Sequence, residues 1–145
     1  MSDQLPTAGD NQWELQEPSP QHYGYAMKPK VRYFETADAD LRNFSPEDPD
    51  NFWLPLQVIV GPDNDPRGEE IVQFIVCTPK ALQATIAREG FLMGRSLVIV
   101  DSADMERIKQ FITAEIEKIE APSYAGVGVQ LAWLGDYEFE DNPIR

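Results

Sequence analysis

The sequence predicts an α+β fold: a mainly antiparallel sheet with helices packed on one face, a two-layer sandwich. Three observations carry that expectation. Runs around residues 31, 56 and 74 alternate apolar and polar side chains with the two-residue period of half-buried strands. Met105, Ile108, Phe111, Ile112, Ile116 and Ile119 recur at spacings of three and four, as one stripe of an amphipathic helix requires. The C-terminal stretch LGDYEFEDNPIR, Leu134 to Arg145, sets Tyr137 and Phe139 in one phase and Glu138 and Glu140 in the other, like a strand with one wet face.

Taken in order, residues 1–26 are rich in Gln, Pro, Ser and Asp without hydrophobic period, yet Trp13, Leu15, Tyr23 and Tyr25 offer apolar anchors. They are expected to form an irregular arm lying on a body that spans residues 27–145. A first strand is expected over Lys28 to Glu35, with Val31 and Tyr33 on one side and Arg32 and Phe34 on the other. The acidic stretch Asp38 to Asp50, broken by Pro46 and Pro49, reads as a loop. In Phe52 to Gly61, the residues Phe52, Leu54, Leu56, Val58 and Val60 share a phase, and Pro55 places that end of the strand at an edge or a bulge. The turn-rich GPDNDPRG, Gly61 to Gly68, joins it to the β-rich run Glu69 to Cys77 as a hairpin with a long loop.

Thr78 before Pro79 signals a helix start: the hydroxyl caps free backbone donors, and proline lacks an N–H where none is needed. That helix should end near Gly90. The apolar run Leu97 to Val100 has the length of a buried central strand. After the amphipathic helix, a turn at Pro122 to Tyr124 leads into a Gly-interrupted segment of weak helical character up to Trp133, and then the terminal strand. The expected core comprises Leu56, Val58, Phe74, Val76, Leu97, Ile99, Phe111 and Phe139.

The chain of 145 residues fits one domain, and 25 acidic residues against 12 basic ones give a formal net charge of -13. An electronegative surface disfavours nucleic acid and anionic membranes as partners and favours cationic ones. No apolar run approaches the roughly 20 residues of a membrane span, and Met1 to Gly9 lacks the features of a signal peptide, so a cytoplasmic protein is expected. Catalytic equipment is sparse. His22 lies in the arm, and Cys77 sits within an apolar strand where a thiolate is unfavourable. Asp63, Asn64 and Asp65 resemble the start of an EF-hand loop, but Pro66 and Arg67 break the pattern and no glutamate closes it. Gly126 and Gly128 lack the third glycine and preceding strand of a dinucleotide-binding loop. Asp136, Glu138, Glu140 and Asp141 could together hold a divalent cation, though acidic alternation on a strand more often marks a solvated face. Trp13, Trp53 and Trp133 read as packing residues, with Trp53 beside Pro55 also able to serve as an exposed anchor.

LQVIVGP at Leu56 to Pro62, FIVCTPKAL at Phe74 to Leu82, LVIV at Leu97 to Val100 and YEFED at Tyr137 to Asp141 occur in an order and spacing that resemble the Imm8 family of immunity proteins, found beside bacterial polymorphic toxin genes. PEDPDNFWLPLQ, Pro46 to Gln57, fits the same pattern, and the likeness runs over residues 27–141. Two departures stand out: Tyr137 replaces the family's usual tryptophan, and Met1 to Tyr25 is an extension. The resemblance implies a small cytosolic α+β protein, without cofactor or catalysis of its own, that binds and neutralises a cognate toxin domain, often a nuclease. The negative charge then has a use, since it can occupy a basic phosphate-binding groove and speed encounter. Charge and expected exposure make Asp63, Asp65, Glu138, Glu140 and Asp141 the candidate contacts. Two other classes compete with this reading: a metal-dependent hydrolase using the C-terminal carboxylates, and an acidic adaptor or scaffold.

Overall fold

The computed structural model describes residues 26–37 and 40–138. Its elements follow the expected order: strands β1 (Pro29–Glu35), β2 (Trp53–Pro62) and β3 (Glu70–Cys77), helix α1 (Pro79–Glu89), strand β4 (Leu97–Ile99), helices α2 (Met105–Glu117) and α3 (Tyr124–Leu134), and strand β5 (Asp136–Tyr137). The sheet runs β1-β2-β3-β4, with β5 also paired to β3; every pairing is antiparallel except that of β3 with β4.

The hairpin β2–β3 pairs Leu56 with Phe74 and Val58 with Val72, so both strands turn the same apolar phase toward the helices. Pro55 lies opposite Ile75, whose N–H donates to the Ser96 carbonyl beside β4 rather than to β2. The nitrogen of Pro55 therefore faces the other flank, where β1 has already ended at the Glu35–Gln57 pair, and no ladder bond is lost. Thr78 ties strand to helix. Its buried Oγ1 accepts hydrogen bonds from Ala81 N at 3.3 Å, as a helix cap, and from Phe52 N at 3.2 Å at the mouth of β2. Gly90 closes α1 in the left-handed region, at φ 91°.

The core is one cluster: Leu54, Leu56, Val58 and Val60 from β2, Val72, Phe74 and Val76 from β3, Ile108, Ile112 and Ile116 from α2, Val127 and Leu131 from α3, and Tyr137. Three sequence expectations change. Leu97–Val100 does not form a central strand: β4 is a short strand on the outer side of β3, where Val98 and Val100 pack inward while Leu97 is half-buried and Ile99 is 52% exposed. A run that is apolar at every position carries no phase, and pairing of Val98 with Val76 decides it. Phe111 is not buried but 55% exposed, because the spacing of four in Ile108, Ile112 and Ile116 fixes the centre of the helix stripe and leaves Phe111 on its flank. In β1 a bulge between Val31 and Tyr33 breaks the two-residue period, so Val31 and Phe34 pack toward the core while Tyr33 faces solvent. Phe139 and the arm before residue 26 lie outside the described residues.

The chain turns from α3 into β5 at Gly135, where a Cβ would stand 2.7 Å from Val72 Cγ1 and 2.9 Å from the Phe74 ring. Only glycine lets the backbone pass so close to the sheet.

Candidate partner-binding site

Arg32, at the β1 bulge, reaches the β2–β3 loop and donates from Nη2 to the carbonyls of Asp65 at 2.7 Å, Pro62 at 3.1 Å and Gly68 at 3.3 Å. The backbone of the loop is thus held from within. Asp63 is exposed. Asp65 is already engaged: its carboxylate accepts Arg67 Nε and Nη2 at 2.9 Å each and Arg67 N at 3.0 Å, and these bonds hold its pKa below the usual carboxylate range. A partner cation would have to compete with Arg67 for it.

Glu138 follows β5 and extends its ladder: its N donates to the Ile71 carbonyl at 3.0 Å and its Oε1 accepts from Ile71 N at 2.7 Å. Its charge is exposed while its side chain finishes the sheet edge. Glu140 and Asp141 lie outside the described residues.

Between the loop and β5 sits a residue that the sequence reading passed over. Glu70 opens β3 in phase with Val72, Phe74 and Val76, so the pleat carries its carboxylate to the helix-covered face. There it lines an open cleft of about 530 Å³ together with Tyr124, Gly128, Val129, Trp133 and Tyr137. Gly128 makes room for the wall: a Cβ there would stand 3.1 Å from the Tyr137 ring. Glu70 Oε1 and the Tyr124 hydroxyl are both buried without a well-formed hydrogen bond. Burial pushes the Glu70 pKa up, the hydroxyls of Tyr137 and Tyr124 draw it back, and the charge of Glu138 raises it further. Both tyrosines are in turn pushed above their ordinary value, first by burial and then by the Glu70 carboxylate. Asp63 also acts on Tyr124, which puts Asp63, Glu70 and Glu138 in one electrostatic neighbourhood. The rim is apolar and aromatic: Trp133 is 77% exposed. The signal in the sequence was a carboxylate on the buried phase of a strand, a placement that calls for a partner.

Elsewhere the chemistry is muted. Cys77 is fully buried, and burial raises its pKa away from thiolate. Among the described residues, no group of three or more His, Cys, Asp and Glu side chains is placed to hold a metal ion, and no helix is long and apolar enough to cross a membrane. His22 and Trp13 lie outside the described residues, and Trp53 is 39% exposed.

The family model described as Immunity protein 8 matches residues 29–142, most of the chain. Comparison with curated proteins and with solved structures gives no match.

Proposed function

This chain belongs to the Immunity protein 8 family, and on that premise we propose that it neutralises a cognate bacterial toxin domain, a basic nuclease, by stoichiometric occlusion in the cytoplasm. One observation supports the mode: Asp63, Glu70 and Glu138 share one end of the sheet, around an open cleft, in a chain of net charge -13. Such an arrangement is complementary to a phosphate-binding groove, and no bond need be made or broken for it to act. Asp65 belongs to the same acidic end, and Glu140 and Asp141, outside the described residues, stay candidate contacts by their charge alone. The family match begins at residue 29, which supports treating residues 27–145 as the inhibitory body and residues 1–26 as an added arm.

The test is to co-express the toxin domain encoded beside this gene and to titrate it with the purified protein. Protection in cells and saturation at one inhibitor per toxin are expected, with turnover recovered when the complex dissociates. Wild-type protein that neither binds nor protects would overturn the assignment for that pair. Asp63→Asn should slow association without disturbing the fold, since its side chain is exposed.

A further inference from the structure

We propose that the Glu70 cleft is an anchor pocket for one arginine side chain of the partner, a commitment that rests on the immunity reading and deepens it. The cleft offers what a guanidinium requires. A carboxylate stands at its floor with the neutral hydroxyls of Tyr124 and Tyr137 as its hydrogen-bonding neighbours, but its buried Oε1 and the Tyr124 hydroxyl close no bond of good geometry and neither hydroxyl supplies a positive charge. Neutral hydroxyls offset a half-buried negative charge only in part, and a charge-assisted pair of N–H donors compensates it better.

The walls fit the same guest. Tyr124, Tyr137 and Trp133 present aromatic surface around the carboxylate, and aromatic faces attract a cation, arginine more often than lysine, while also packing against its methylene stem. Gly128 keeps the helical wall low enough for the Tyr137 ring to lie against it. Trp133, largely exposed here, would be covered by an arriving surface, as the aromatic anchors of binding hot spots are. Charge decides against an anionic or neutral guest: Glu138 and Asp63 bear on the cleft, and the described cation nearest to it in effect, Arg32, spends its Nη2 on the hairpin carbonyls. A neutral apolar side chain would bury the Glu70 charge further with only two neutral hydroxyls to offset it.

Glu70→Gln keeps shape and removes charge. In kinetic binding to the cognate toxin domain it should speed dissociation at least about 30-fold, the lower end of what losing one member of a desolvated charge pair costs. Trp133→Phe should bind nearly as wild type and Trp133→Ala several-fold more weakly. A toxin that binds wild type and Glu70→Gln alike would overturn the pocket while leaving the immunity reading standing. Should the neighbouring toxin not bind at all, the pocket is tested without it: N-acetyl-arginine amide is titrated into ¹⁵N-labelled protein and the Trp133 indole resonance is followed. A saturable shift that disappears in Glu70→Gln, and is weaker with N-acetyl-lysine amide, supports the pocket. No shift, or an equal one with the lysine probe, overturns it.

Discussion

Glu70 should contribute to the protein's pH response as well as to its candidate chemistry. A carboxyl whose pKa is raised in the folded state keeps its proton where the unfolded chain has released it, so the folded form binds more protons between the two values. Its contribution is fully present below the unfolded value and is lost as pH rises through the raised one. Asp40 and Asp65 behave oppositely: both are lowered, so their contributions fade only as pH falls below the ordinary aspartate range. The two windows do not overlap. Wild-type stability should therefore decline from about pH 4.5 upward relative to Glu70→Gln, and thermal unfolding of the two proteins across pH 4 to 7 checks it. Wild-type stability that holds level with or rises relative to Glu70→Gln over this range would contradict a raised Glu70 pKa. Within α2, Ile112→Ala should cost about 2 to 5 kcal/mol in denaturant titration, whereas Phe111→Ala should cost about 1 kcal/mol or less, since more than half of Phe111 is already in water.

At the scale of elements, Thr78 is the hinge between hairpin and helix, serving two backbone donors with one oxygen. Thr78→Val preserves its volume and removes that oxygen, so it should destabilise by at least about 2 kcal/mol, one cap plus one orphaned buried amide. Thr78→Ser should recover most of the loss. The order of elements was legible because each is written in local terms: Thr78–Pro79 and Gly90 bracket α1, the stripe of isoleucines marks α2, and the paired apolar phases of β2 and β3 mark the hairpin. What was not legible depended on neighbours. The inward phase of Val98 and Val100 is chosen by β3, the bulge in β1 by Arg32 and its loop, and the Glu70 cleft by the meeting of β3, α3 and β5, which no local window contains. Of the acidic residues singled out from the sequence, Asp63, Asp65 and Glu138 do gather at one end of the sheet, but Asp65 is neutralised by Arg67 and Glu138 is partly spent on the edge of β3.

For the whole molecule, the surplus of acid acts at a distance. If the partner is basic, as proposed, the attraction should be seen in an association rate that falls roughly tenfold or more between low and high salt, while dissociation changes little. Stopped-flow mixing over a salt series separates the two. A salt effect confined to dissociation would mean that steering plays no part.

The outer side of β3 has one more property. Two strands from distant parts of the chain divide it, β4 taking Ile75 to Cys77 and β5 taking Val72 and Gln73, with Glu138 fastening Ile71. IVQFIVC, Ile71 to Cys77, is the kind of uncharged, β-prone segment that templates fibrils when its backbone is bare. Splitting its cover between two short pieces leaves little bare backbone on this side of β3 for another copy to extend, so β5 doubles as a safeguard against aggregation. A chain ending at Gly135 should retain the hairpin yet seed thioflavin-positive aggregates that the full chain does not.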